Sequence, residues 1–148
     1  MRWCLLAGAV AILALPVSAW AWLGGDAASV GADQQRMNAS VTATNAAGYT
    51  TYEIHTPTGT VVKEFVSPAG RVFAVAWKGP SLPDMRQILG SFFNRYVTST
   101  NALGAGAGSR IVDEPGLVVY AGGHMRAFVG RAYIPESIPA GVNLADIQ

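Results

Sequence analysis

The side chains suited to soft-metal or thiol chemistry are few and scattered: two histidines, four methionines and one cysteine. His124 and Met125 are adjacent, and neighbours on a strand point to opposite faces, so they would not grip one ion together. His55 and Met37 lie far away in sequence, and Met85 belongs to an apolar stripe described below. No metal and no cofactor is expected. There is no His-Glu-x-x-His helix and no Gly-x-Ser-x-Gly elbow. A Ser-His-Asp arrangement stays open, because its members meet in space rather than in sequence. Nothing local nominates a serine, and no catalytic residue is assigned. Asp113-Glu114 precedes Pro115 and reads as a charged, solvated turn. Gly104 to Gly108 invites comparison with a phosphate loop, but such a loop joins a strand to the start of a helix. Here a helical pattern precedes it and an apparent strand follows, so it reads as a flexible connector within a loop from Thr98 to Arg110.

Composition narrows the classes further. Of 148 residues, 51% are apolar and 13% are charged, with a formal net charge of +1. That excludes a disordered charged tail, a disulfide scaffold and a polybasic nucleic-acid binder. Arg2 followed by the uncharged stretch Cys4 to Val17 and by Ser18-Ala19-Trp20-Ala21 has the three parts of a secretory signal. Cys4 lies before the apolar stretch, which argues against a lipid-modified cysteine. Residues 1–21 are expected to be a cleavable signal peptide, and 22–148 a single exported, periplasmic or secreted domain. That domain has nine basic and nine acidic residues, no cysteine and no expected integral membrane span. Neutrality gives no electrostatic reason to expect nucleic acid as a partner.

The elements follow from periodicity and turn chemistry. Trp22 to Ala47 is weakly patterned, with a short helix within Asp26 to Met37 and an edge strand at Val41 to Thr44 as candidates. Tyr49–Thr56, Thr60–Ser67 and Arg71–Trp77 are rich in strand formers. Thr56-Pro57-Thr58-Gly59 and Ser67-Pro68-Ala69-Gly70 separate them, with Pro and Gly at type I turn positions. If each turn closes with a glycine bulge, Thr56 faces Thr60 and Ser67 faces Arg71. One face then carries Tyr52, Ile54, Val62, Glu64, Val66, Val72, Ala74 and Ala76. The other carries Glu53, His55, Val61, Lys63, Phe65, Phe73, Val75 and Trp77, with Glu53 opposite Lys63. After Pro83, Ser81 or Asp84 can cap a helix whose stripe is Met85, Ile88, Leu89, Phe92, Phe93 and Tyr96. It is expected to sit on the Ala74/Ala76 face, where small residues leave room. Leu117–Ala121, a Gly122-Gly123 turn and His124–Ile134 read as a second hairpin. The fold class is α+β: an antiparallel sheet of about five strands, β-β-β-α-β-β, with one amphipathic helix on one face. An outer-membrane barrel would need more chain than the helix leaves.

Two sets of residues are candidates for binding. His55, Phe65, Phe73 and Trp77 would gather on the face away from the helix. The N-terminal segment or the C-terminal tail would cover that face, or it would present an aromatic surface to an envelope protein, peptide or glycan. His124 and Arg126 would form an anion contact just after the Gly-Gly turn; as a covering side chain, Arg126 would lay its stem on apolar surface. The expected function is a non-enzymatic binding or structural module of the cell envelope. The alternative is a small-ligand binder or enzyme with a pocket near His124 and Arg126.

The block from Tyr52-Glu53-Ile54 through Pro57-Thr58-Gly59-Thr60-Val61-Val62-Lys63-Glu64, Val66-Ser67-Pro68-Ala69-Gly70 and Val72-Phe73-Ala74-Val75-Ala76-Trp77 to Leu82-Pro83-Asp84 carries a family likeness. So do Gly122-Gly123-His124-Met125-Arg126-Ala127-Phe128, Gly130-Arg131-Ala132-Tyr133 and Leu23-Gly24-Gly25. Together they resemble domain of unknown function 2844, a family of small exported bacterial proteins. The resemblance implies export from a Gram-negative bacterium, and it implies neither an activity nor site residues. Edman sequencing of the exported protein is expected to begin at Trp22; a start at Met1 would overturn the cleavage.

Overall fold

The computed structural model describes residues 22–104 and 108–148, so the expected signal peptide and the centre of the glycine-rich connector lie outside the described residues. Helix α1 (Val30–Met37) follows a short 3-10 turn at Ala27–Ser29. Strands β1 (Ser40–Ala46), β2 (Tyr49–His55), β3 (Val61–Val66) and β4 (Val72–Gly79) come next. Helices α2 (Met85–Leu89) and α3 (Phe93–Ala102) are joined by a 3-10 turn into one 18-residue helical segment. Strands β5 (Arg110–Glu114), β6 (Leu117–His124) and β7 (Ala127–Tyr133) complete one seven-stranded antiparallel sheet in the order β1-β2-β3-β4-β7-β6-β5. The α+β class is as the sequence indicates, but the strand count is higher. The two strands beyond five are the edges of the sheet: β1, which contains the candidate edge strand Val41 to Thr44, and β5. Edge strands bury little, so their apolar alternation is faint: β1 is Ser-Val-Thr-Ala-Thr-Asn-Ala and almost wholly exposed.

Both proline-glycine turns form. The Gly59 amide donates to the Thr56 carbonyl at 3.0 Å and the Gly70 amide to the Ser67 carbonyl at 2.9 Å. They set Glu53 opposite Lys63 and Val66 opposite Val72, as the turn chemistry requires. One residue further on, the ladder shifts. Phe65 pairs with Ala74, so Phe73 is an extra residue in β4. Beyond that bulge every side chain of β4 exchanges faces. Val75 and Trp77 join Ile54, Val62, Val66 and Val72, whereas Phe73, Ala74 and Ala76 join Phe65. The helix therefore does not sit on Ala74 and Ala76. Its Met85, Ile88 and Leu89 cluster with Trp77, with Phe92, Phe93 and Tyr96 packed around them.

Asp84 caps α2 by accepting from the Arg86 and Gln87 amides. Gly90, at φ +51°, breaks the helical segment between α2 and α3. The N-terminal segment is stitched between helix and sheet: the Leu23 amide donates to the Ile88 carbonyl at 3.0 Å, and the Gly24 amide to the Val72 carbonyl at 2.8 Å. At Gly130 the sheet needs the missing Cβ, because a methyl there would meet the Trp77 ring at 2.2 Å. Trp77 is thus locked between the helical layer and the backbone of β7.

Helix α3 is tied to β5. Arg95 Nη2 donates to Glu114 Oε2 at 3.3 Å, and the Ser99 hydroxyl donates to Glu114 Oε1. Ser99 first, and Arg95 after it, hold the Glu114 carboxyl below the usual carboxylate range. A depressed folded-state pKa means this tie is complete above the ordinary carboxylate range and is lost as pH falls through the depressed value. Ser99→Ala is expected to move the Glu114 titration upward by NMR, and an unchanged titration would refute the assignment. Trp77→Ala is expected to cost about 3–5 kcal/mol in denaturant unfolding, a large share of a typical domain's stability. A loss near zero would place Trp77 outside the core.

Candidate functional site

The sheet face away from the helices is only partly covered. After β7 the chain turns back across it, anchored where the Ile134 amide donates to the Phe73 carbonyl at 3.0 Å. Ile138, Val142 and the fully buried Ile147 pack on Phe65, Phe73, Val118 and Tyr133. Tyr49, Phe65 and Phe73 form a ring cluster with centroids 5.8 to 6.3 Å apart. Asn143 caps a final 3-10 turn at Leu144–Asp146 by accepting from the Ala145 amide at 3.0 Å. Arg131, from β7, latches this tail. Its Nη1 donates to the Leu144 carbonyl at 3.0 Å and reaches the Ile147 carbonyl at 3.5 Å, while its guanidinium lies 5.0 Å from the centre of the Tyr120 ring. Tyr120 in turn stacks on Tyr133 at 6.5 Å. Burial, followed by Tyr120, pushes the Tyr133 hydroxyl pKa up, against an opposing pull from Arg131.

Beside the tail the sheet lies open. Register and alternation place two cross-strand rows there. One row is Glu53, Lys63, Ala76, Arg131, Tyr120 and Ile111; the other is His55, Val61, Lys78, Val129 and Gly122. A groove of about 650 Å³ runs along them between Lys63, Lys78, Tyr120, Val129, Arg131 and Ile147. A second, of about 420 Å³, adjoins it through Lys63 and Lys78 and ends at Glu53 and Val61. Ala76 and Gly122 give the trough a low floor, and Val129 and Ile111 expose about half their surface, 51% and 53%. Its charge is mainly cationic. Lys63 lies 3.9 Å from Glu53, and Glu53 Oε1 also accepts from His55 Nε2 at 2.7 Å. Lys78 makes no ion pair among the described residues.

The sequence-derived site residues are redistributed. Phe65, Phe73 and Trp77 are all at least 98% buried, and Trp77 is on the helix side. They do not form an open aromatic surface: the bulge at Phe73 turned Trp77 over, and the C-terminal tail covers both phenylalanines. His55 alone of the four is exposed, at the end of the second row. No hydroxyl or thiol is hydrogen-bonded to it among the described residues. The second hairpin also differs. Gly122 and Gly123 continue β6, and the two-residue turn is Met125-Arg126, with Arg126 at φ +67°. A Cβ at Gly123, which has φ +114°, would strike the Ala127 carbonyl of β7 at 2.1 Å, and one at Gly122 would meet the Ser109 hydroxyl at 2.9 Å. His124 and Arg126 sit exposed at the hairpin tip, and neither lines the two grooves. Lys78, Val129 and Arg131 were missed as a group. The signal for them was the set of apolar residues Ile138, Val142 and Ile147 within a proline- and glycine-rich tail, which marks a covering segment.

The family model described as Protein of unknown function (DUF2844) matches residues 19–147. The chain belongs to that family. The match spans every element that builds the trough of this DUF2844 protein, from Leu23 under the helix to Ile147 in the tail. No curated protein and no solved structure matches it. Arg131→Ala should release the end of the DUF2844 tail. Amide exchange at Ala145 and Ile147 is expected to accelerate, with about 1–3 kcal/mol lost from global stability. Unchanged exchange there would mean the latch carries no load.

Proposed function

We propose that this protein is an exported, non-enzymatic binding module of the cell envelope, and that its contact surface is the trough beside the C-terminal tail. The observation that carries this reading is the pair of adjoining grooves walled by Lys63, Lys78 and Arg131 over exposed Val129 and Ile111. Exposed apolar side chains rimmed by charge suit a partner that brings both apolar and acidic groups. Tyr120, the aromatic ring in the row, has Arg131 over one face, where the guanidinium competes with a stacking sugar. An acidic, partly apolar segment of an envelope protein fits best. The charged start, apolar stretch and Ala-x-Ala site of residues 1–21 support export. Among the described residues no helix is long and apolar enough to cross a membrane.

A photo-crosslinking side chain at Val129, installed in the native envelope and followed by mass spectrometry, tests the surface. A discrete adduct is expected that weakens about tenfold or more in Lys63→Glu/Lys78→Glu, since reversing two interfacial charges costs more than the 1.4 kcal/mol that a tenfold change represents. An equal adduct from the exposed Asn101 on α3, or indifference to the charge reversal, would sink the reading.

A further inference from the structure

The two edges of the sheet are treated differently by the sequence. Strand β5 is five residues long, carries Arg110, Asp113 and Glu114, and is tied to α3 through Glu114 and through Arg110, whose Nη1 reaches the Thr100 carbonyl at 3.5 Å. Charges, shortness and a covering helix are the usual guards of an edge. Strand β1 has none of them. It is seven residues long, contains no charged residue and no proline, pairs with β2 at all seven positions without a bulge, and is exposed at every residue but the half-buried Val41. Among the described residues nothing pairs with its outer side. A two-residue turn, Ala47-Gly48, closes on the Ala46–Tyr49 pair. That pair exchanges both hydrogen bonds, and the alternation of an antiparallel ladder then turns the backbone groups of Val41, Ala43 and Asn45 outward.

We infer that β1 is a docking edge for a second copy of this chain, pairing antiparallel with its own counterpart to make one continuous sheet across two protomers. The strand is self-complementary about Ala43. A two-fold axis there overlaps all seven residues and brings the outward groups of Ala43 onto Ala43 of the partner copy and those of Val41 onto Asn45 of the partner copy. It sets Thr42 beside Thr44 of the partner copy on the face away from the helices, a favourable cross-strand pair. The smallest side chain of the central residues lies on the axis, and no like charges meet. Two-fold contacts of one patch with itself are the commonest way in which chains associate. Seven paired residues bury less than a permanent dimer needs, so the association is weak and depends on concentration.

Sedimentation equilibrium of the protein purified from the envelope is expected to show a reversible monomer–dimer equilibrium. Thr42→Lys/Thr44→Lys places lysines against lysines across the axis on an exposed face and should raise the dimer dissociation constant about tenfold or more. Ala43→Pro removes an outward amide from an edge strand, where proline is tolerated, and should act alike. In a Cys4→Ser background, Ala43→Cys should form an inter-chain disulfide readily and Ser40→Cys poorly, because only the residue on the axis meets itself. Each variant's unfolding midpoint checks that the fold persists. The inference fails if the native protein stays monomeric at every concentration. It fails equally if the double lysine variant dimerises as well as the parent, or if Ala43→Cys crosslinks only to a different protein.

Discussion

One extra residue, Phe73, decides on which side of the sheet the remaining side chains of β4, Trp77 above all, lie. Before it, the proline-glycine turns hold β2, β3 and the start of β4 in the register their chemistry requires. After it, β4 is rotated by one position, so Trp77 points under the helices and Phe73 and Ala74 share the opposite face. The sheet gains two apolar faces where strict alternation would have given the helix two alanines to pack on. Trp77 then requires a neighbour without a side chain, and Gly130 across the β4–β7 pair supplies it. Bulge, tryptophan and glycine form one steric unit at the centre of the sheet.

A sheet with two apolar faces needs two covers. On one face the helical segment, α1 and Leu23 close over Ile54, Val62 and Trp77. On the other the only described chain left is the segment after β7, whose regular structure is limited to short 3-10 turns. It achieves closure by inserting Ile138, Val142 and Ile147 and by lending backbone carbonyls to Arg131. The described tail covers the aromatic half of the face, and the cationic trough lies beside it.

Several elements were legible from local chemistry. The two turns, the Asp84 cap and the Glu53–Lys63 pairing each depend on residues close in sequence or on a turn that fixes its own register. Of the two edges, β1 contains the candidate edge strand Val41 to Thr44, while β5 was obscured because an exposed strand need not alternate. The glycines at 122 and 123 pointed to a turn because they permit positive φ; Gly123 does adopt φ +114°, but inside β6 against β7, and the turn falls on Met125-Arg126.

The sequence by itself determined the α+β class, the meander and its turns and the helical stripe, because these rest on spacing along the chain and on the conformational preferences of proline, glycine and β-branched residues. Only the tertiary structure decided the bulge at Phe73, the side of Trp77, the latch at Arg131 and the rows that bring Lys63, Lys78 and Val129 together. Those depend on how volumes fill the space between distant segments, and no residue carries that information in its immediate neighbours.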